Sequence, residues 1–322
     1  MTSDAFRFTI RANIDHGDIY RRVSESGARG IGLFRSESLI RRVEDIPTED
    51  DQVDVYIKIA ESAEGEQVRI RTFDLDRSWF DSSVTECNPA LGLRALRFSL
   101  TDPKHFCVQI RAILRAAFGH RIDIILPMIS GVDDVVRAKT IIEDQRLRLT
   151  NEGFEVGEPQ IGAMIETPSS VLTAFEIAQQ VNFLCLGTND LVQYLLVVDR
   201  DNDAVADWYQ TLHPAVIRAI AEVISAADRA NIPLTVCGEM AGSPFYAPVL
   251  LGLGAREFSM NLKSIPAIRQ LLSSVSVQEA QDLVAVISSL DTADKIENYL
   301  RSHYTANWKS YFPADFIFDH PF

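Results

Sequence analysis

The residues of this sequence with the most chemical potential stand at the ends of short β-rich runs. Arg35 closes the run 30–35, Arg71 and Asp74 belong to 68–74, and Glu166 closes 161–166. Thr188, Asn189 and Asp190 follow 183–187, and Cys237, Gly238 and Glu239 end the run that starts at 234. Glu166 and Asp190, with Asn189 beside them, suit a hard divalent cation that takes oxygen ligands and keeps positions open for substrate, so Mg2+ is the expected metal. Arg35 and Arg71 add guanidinium forks able to grip phosphoryl or carboxylate oxygens, the complement of metal-assisted phosphoryl transfer. The implied ligand is a small phosphorylated anion. Taken singly, an Arg or Glu at a strand end is ordinarily a surface salt-bridge partner, and a lone Cys237 is ordinarily a small core residue. It is their joint placement that points to a site.

Such a placement needs elements that bring all these ends to one mouth. Eight β-rich runs are legible, at 8–13, 30–35, 68–74, 122–128, 161–166, 183–187, 234–238 and 257–260. Helical patterns, for example at 50–62, 132–149, 170–180 and 215–230, separate them. This alternation calls for parallel strands covered by helices. Eight units predict a closed (β/α)8 TIM barrel, whose functional residues gather at the carboxyl ends of the strands. An open doubly wound sheet is the structural rival, but no GxGxxG follows the first strand and the unit count favours closure.

Composition sets the outer bounds. At 322 residues, 47% apolar and 24% charged, the chain reads as an ordinary soluble protein large enough for one barrel. Its longest apolar runs are strand length, too short to span a bilayer, and its first residues lack a secretory pattern, so a cytoplasmic location is expected. Cys87, Cys107, Cys185 and Cys237 form no CxxC pair, which argues against a zinc site or a disulfide scaffold. The net charge of −14 opposes extended contact with nucleic acid. An anionic substrate therefore needs a local cationic pocket.

Six segments carry a family resemblance: GIGLFRSESLI (30–40), RTFD (71–74), NPALGLRALR (88–97), IGAMIETP (161–168), LGTNDLVQYLLVVDR (186–200) and CGEMAG (237–242). In wording and order, from about residue 8 to residue 273, the sequence resembles Enzyme I, the phosphoenolpyruvate-protein phosphotransferase of the bacterial sugar phosphotransferase system. Pyruvate phosphate dikinase and phosphoenolpyruvate synthase share the barrel, but the GTNDLxQYxLxVDR wording is most similar to Enzyme I. The resemblance implies that Arg35 and Arg71 hold the phosphoryl group of phosphoenolpyruvate, that Asn189 and Arg200 add contacts, and that Arg94 is a further pocket cation. It also implies Glu166 and Asp190 as magnesium ligands, Asp190 bordering the substrate as well, and a homodimer formed through the barrel. Cys237 matches the family's acid/base residue, which protonates C3 of enolpyruvate as pyruvate forms, work to which a thiol is suited.

The sequence departs from the family pattern in three places. The family's phosphoacceptor histidine lies in a mobile domain N-terminal to the barrel, and His16, His105, His120, His213, His303 and His320 all lack its motif. They read as surface or capping residues, and the acceptor is expected from a separate or removed domain. A phosphoenolpyruvate-sensing barrel that has lost transfer is the alternative. After the third strand the family usually reads RTxDxGGDK, whereas this sequence continues Leu75, Asp76, Arg77, Ser78, Trp79, Phe80, without the glycines and lysine. Arg69, two residues before Arg71 and so on the same strand face, stands where the family tends to place an aliphatic residue and needs an anionic partner. Beyond the barrel of 1–273, helical patterns at 277–290 and 292–302 precede an aromatic tail with Tyr304, Trp308, Tyr311, Phe312, Phe316, Phe318 and Phe322, expected to dock on the barrel or a partner.

Overall fold

The computed structural model describes residues 1–15, 23, 25–40, 46–79, 83, 86–313 and 316. Eight parallel strands follow one another round a closed barrel: β1 (Thr9–Ile14), β2 (Ile31–Arg35), β3 (Val68–Arg71), β4 (Ile122–Leu126), β5 (Ile161–Ile165), β6 (Phe183–Leu186), β7 (Leu234–Val236) and β8 (Glu257–Met260). β8 pairs back on β1, with Thr9 opposite Glu257 and Ala12 opposite Met260. The strand count and the closed (β/α)8 architecture are those expected from the alternation of patterns. His16, Phe80, His320, Phe318 and Phe322, named above, lie outside the described residues.

Several strands are shorter than their sequence patterns. β3 stops at Arg71 rather than Asp74, β5 at Ile165 rather than Glu166, and β7 at Val236 rather than Gly238. After β3 the backbone leaves the ladder for side-chain partners: the Phe73 N–H donates to Gln109 Oε1 at 2.9 Å and the Asp74 N–H to Glu37 Oε1 at 2.6 Å. The pattern at 170–180 resolves into two short helices, Pro168–Leu172 and Ala174–Ala178, broken at Thr173, whose hydroxyl donates back to the Ser169 carbonyl at 2.9 Å.

Helix packing fixes the strand ends. The helices Glu49–Ser62 and Lys104–Ala116 cover β2 and β3 with Tyr56, Ile59, Ile110 and Ile113, all fully buried. Between them a buried polar chain runs to the barrel: Tyr56 donates to Gln52 Oε1 (3.0 Å), Gln109 Nε2 donates to Tyr56 (3.1 Å) and to Ser36 Oγ (2.8 Å), and Ser36 donates to the Arg71 carbonyl (2.6 Å). Each polar group in the chain has a partner, so it locks the exits of β2 and β3 rather than weakening the core. Inside the barrel, Gly162 admits the ring of Phe183: a Cβ there would stand 2.2 Å from the ring.

Past β8, helices Val277–Ile287 and Ala293–His303 lead to a turn that buries Tyr304, Trp308 and Phe312. Tyr304 stacks on Trp308 with centroids 5.3 Å apart and donates its hydroxyl to the Phe245 carbonyl at 3.0 Å. His213 caps the helix Pro214–Ala230, accepting the Ala215 N–H at Nδ1 (3.1 Å), and His105, His120 and His303 are half-buried. Among the described residues, no helix is long and apolar enough to cross a membrane.

Candidate active site

The carboxyl ends of the strands open into a cavity of about 840 Å³. Arg35, Arg71, Arg94, Glu166, Asn189, Asp190, Arg200 and Cys237 all line it. Arg35 and Arg71 end β2 and β3, Glu166 follows β5, and Asn189 and Asp190 sit in the first turn of the helix Thr188–Leu196 that follows β6. Cys237 follows β7. Arg94 immediately precedes the helix Ala95–Thr101, and Arg200 follows the helix that carries Asp190. Arg77 is exposed and does not line the cavity, so it does not stand in there for the cation missing after β3.

The cavity crowds four arginines against seven carboxylates, those of Asp15, Glu37, Asp74, Glu166, Asp190, Asp201 and Glu239. Arg71 lies 3.2 Å from Glu37 and 3.2 Å from Asp74, and Arg94 reaches the other Asp74 oxygen at 2.8 Å. Burial works against the charge on both guanidiniums, but the surrounding carboxylates, Glu37 and Asp74 for Arg71 and Asp74 for Arg94, hold them firmly protonated. Arg35 meets Asp15 at 3.0 Å, and Arg200 stands 3.7 Å from Asp190.

Glu166 is buried at 1% exposure. Its Oε1 accepts the Met128 N–H at 2.6 Å, while Oε2 has no hydrogen bond, and neither has Asp190 Oδ1. Burial, then the nearby charges of Asp190 and Asp74, push the Glu166 carboxyl well above the ordinary carboxylate range. Gly187 leaves room for this group, since a Cβ at that position would lie 2.7 Å from Glu166 Oε2. Thr167 holds the strand exit in place, capping the next helix through the Ser170 N–H (3.2 Å) and donating to the Ile129 carbonyl (2.9 Å). Two bare carboxylate oxygens in an acid-rich cavity fit a divalent cation. No group of three or more His, Cys, Asp or Glu side chains able to hold a metal occurs among the described residues.

Several further residues shape the site, and Glu37, Asp74, Tyr194 and Glu239 among them stand inside the motif segments quoted above. Glu37 and Asp74 hold Arg71, and Tyr194, which donates to the Ala90 carbonyl at 2.6 Å, receives Arg94 at 3.4 Å. Glu239 and Asn189 are reciprocal partners: Asn189 Nδ2 donates to Glu239 Oε1 at 3.1 Å, and the Glu239 N–H returns to Asn189 Oδ1 at 2.9 Å. Asn13 donates to the Cys237 carbonyl at 2.9 Å and accepts from Ser259 at 2.6 Å, fixing the backbone behind the thiol. Glu37 could have been flagged by its place two residues after Arg35. Asn13, in an ordinary strand pattern, gives no such signal.

Fold and site together define a (β/α)8 barrel with a charged ligand cavity at the carboxyl ends of its strands. The chain belongs to the PEP-utilising enzymes, residues 1–277 matching that family's PEP-binding domain. It is 36% identical over 311 residues to the phosphoenolpyruvate-protein phosphotransferase of Staphylococcus carnosus, covering 94% of this chain and 54% of that protein. With the protein of the same name from Bacillus subtilis the identity is 37% over 305 residues, again 94% of this chain and 54% of the other. The chain thus spans about half the length of these curated relatives. Among solved structures, an HpcH/HpaI aldolase/citrate lyase family protein from Burkholderia cenocepacia is similar with a TM-score of 0.52 at 15% identity, over 84% of this chain and 95% of that one. A citrate lyase from Burkholderia xenovorans is similar with a TM-score of 0.51 at 16% identity, over 95% of this chain and 96% of that one. At such identities the likeness concerns the fold alone.

Proposed function

We propose that this barrel binds phosphoenolpyruvate with Mg2+ and passes the phosphoryl group to a histidine supplied by a separate domain, releasing pyruvate. The observation that carries this reading is the pair of bare oxygens on Glu166 and Asp190 beside four arginines in one cavity. Phosphoenolpyruvate is anionic, and a cavity already richer in carboxylates than arginines accommodates it only with an added cation. Glu166 and Asp190 would hold Mg2+, which when bound neutralises charge on the phosphoryl and carboxylate oxygens. Arg35 and Arg71 grip the phosphoryl group, Arg94 and Arg200 add positive charge at its flanks, and Asn189, steadied by Glu239, orients the bound anion.

When the histidine nitrogen attacks phosphorus, the bond from phosphorus to the enol oxygen breaks and the electron pair passes to enolpyruvate. Cys237 then gives its proton to C3. A hydrogen bond to Cys185 and burial hold the Cys237 thiol well above its ordinary range, so it stands ready as S–H. We assign substrate binding to the barrel of 1–273 and packing support to 274–322, and place the protein in the cytoplasm as a homodimer formed through the barrel.

Calorimetry tests the reading. Phosphoenolpyruvate should bind the wild type in the presence of Mg2+, and Glu166→Gln or Asp190→Asn should abolish the dependence on the metal. The same Mg2+ dependence in both variants as in wild type would remove these residues from the metal site.

A further inference from the structure

The loop between β7 and the helix Ala247–Gly252 carries Cys237 at its start and Phe245 near its end. Between them the backbone closes a series of short local bonds. The Ala241 N–H donates to the Gly238 carbonyl at 3.1 Å, the Ser243 N–H to the Met240 carbonyl at 3.3 Å, and the Tyr246 N–H to the Ser243 carbonyl at 3.2 Å. Bonds between such near neighbours shape a loop, but its place on the barrel has to come from partners distant in sequence. At the start these are Asn13, on the Cys237 carbonyl, and Asn189, paired with Glu239. Behind the Asn189–Glu239 pair lies a side cavity of about 260 Å³, whose walls include both residues together with Tyr209, Met240, Ser243 and Tyr246. The pair is therefore not wedged in place by close packing on that side.

The far end of the loop is held from the C-terminal aromatic segment. Phe245 and Tyr304 are both fully buried, their ring centroids 5.4 Å apart and edge-on at 83°. Across 59 positions of sequence, the Tyr304 hydroxyl donates to the Phe245 carbonyl at 3.0 Å. Burial holds that hydroxyl well above its ordinary range, so it stays protonated and remains a donor. The Phe245 ring also meets Tyr246 edge-on at 5.5 Å, with the Arg301 guanidinium 5.5 Å from its centroid. Tyr304 is packed in turn against Trp308 and Phe312, at 5.3 and 5.0 Å.

Resting on the reading of Asn189 as the residue that orients the bound anion, we infer that Tyr304 is a positioning residue: by gripping Phe245 it fixes the loop 238–246, and with it the Glu239–Asn189 pair, at the edge of the cavity. The aromatic segment, which the sequence singles out without giving it a task, is then a brace for the site. Loss of the brace should affect alignment more than binding. An anion that Asn189 no longer orients is still held by Arg35, Arg71, Glu166 and Asp190, which reach the cavity from β2, β3, β5 and the helix after β6. Its C3 carbon, however, loses its alignment with Cys237, and rates fall steeply with such misplacement.

The test combines solvent deuterium exchange into C3 of pyruvate, calorimetry with phosphoenolpyruvate and Mg2+, and amide hydrogen exchange of residues 238–246, all in the full chain. Tyr304→Phe removes the hydroxyl but keeps the ring, so it should fold as the wild type does. Its kcat for deuterium exchange should fall about tenfold while phosphoenolpyruvate affinity stays within about threefold. Its amides at 238–246 should exchange about tenfold faster. Glu239→Ala should lower kcat by a similar factor, and Tyr304→Phe added to it should cost less than about twofold more, because both act through one pair. Trp308→Phe thins the packing beside Tyr304 but leaves its hydroxyl in place, and should keep kcat within about twofold of wild type. Wild-type kcat and amide protection in Tyr304→Phe, a multiplicative loss in the double variant, or an equal loss in Trp308→Phe would each overturn the inference. Faster amide exchange in Tyr304→Phe, with no deuterium entering pyruvate in the wild type, would instead overturn the carbon chemistry proposed for the site and leave the brace standing.

Discussion

Two clusters of buried charge occupy the barrel interior, one toward each end of the strands. At the amino-terminal end, Arg11 and Arg69 share Glu257 at 3.0 and 3.5 Å, and Thr235 donates to the same carboxylate at 2.8 Å. Asp123, opposite Arg69 in the ladder, accepts the Gln160 N–H at 3.0 Å, and Arg69 Nε alone is left without a hydrogen bond in that cluster. At the carboxyl end, by contrast, Glu166 and Asp190 each keep an oxygen without a hydrogen bond, and the cavity holds more carboxylates than arginines. One cluster is nearly closed on itself and the other is open to a visitor. A buried charge with its partners in place shapes the core; a buried charge without them keeps a place for a ligand.

The contrast can be broken by substitutions at each end, read by urea unfolding. Glu257→Ala should produce the largest effect, a loss of about 3–5 kcal/mol, because it strands the buried Arg69 and the largely buried Arg11 together. A loss under about 1 kcal/mol would mean that the lower cluster is not what holds that end. Asp123 comes next. Burial pushes its carboxyl up to about 6, with the Gln160 N–H and Arg69 only partly offsetting it, whereas in the unfolded chain it titrates near 3.9. The folded form thus holds the proton more tightly, so stability falls as pH rises from about 4 to about 6 and levels off above, a swing of about 3 kcal/mol. Asp123→Asn should remove that part of the pH dependence and be the more stable protein at pH 7; equal slopes in variant and wild type would refute the assignment. The smallest effect belongs to the mouth. Glu166→Gln should leave stability unchanged or raise it by about 1 kcal/mol, since a neutral amide replaces a buried acid whose charged form burial already disfavours. A loss comparable to that of Glu257→Ala would erase the distinction between the two clusters.

The barrel was legible because each unit carries its own period, and eight alternations leave little besides closure. Six of the eight candidate residues follow from a related argument, since in a parallel barrel all carboxyl ends face one mouth; Arg94 and Arg200, which stand away from the strand ends, came from the family resemblance alone. What escaped was set by partners distant in sequence. The end of β3 is decided by Glu37, 37 positions from the Asp74 N–H it accepts. The anionic partner that Arg69 was expected to need is Glu257, 188 positions away. Cys185, inside the run Phe183–Leu186, reads as one more core residue, and only the register of β6 with β7 sets it beside Cys237.

The pairing of β1 with β8 has a consequence for synthesis. A ribosome delivers β1 first and one of its two neighbours last, and the Arg11–Glu257 contact that joins them spans 246 positions. Until β8 emerges, the nascent sheet has a free edge whose backbone N–H and C=O groups could recruit a strand from another chain. Closure is thus a late, long-range event, slow compared with the local helix contacts that precede it. Arg11 serves both stages, first as a charge on the waiting edge that discourages pairing with a foreign strand, then as the Glu257 partner that fastens the closed ring.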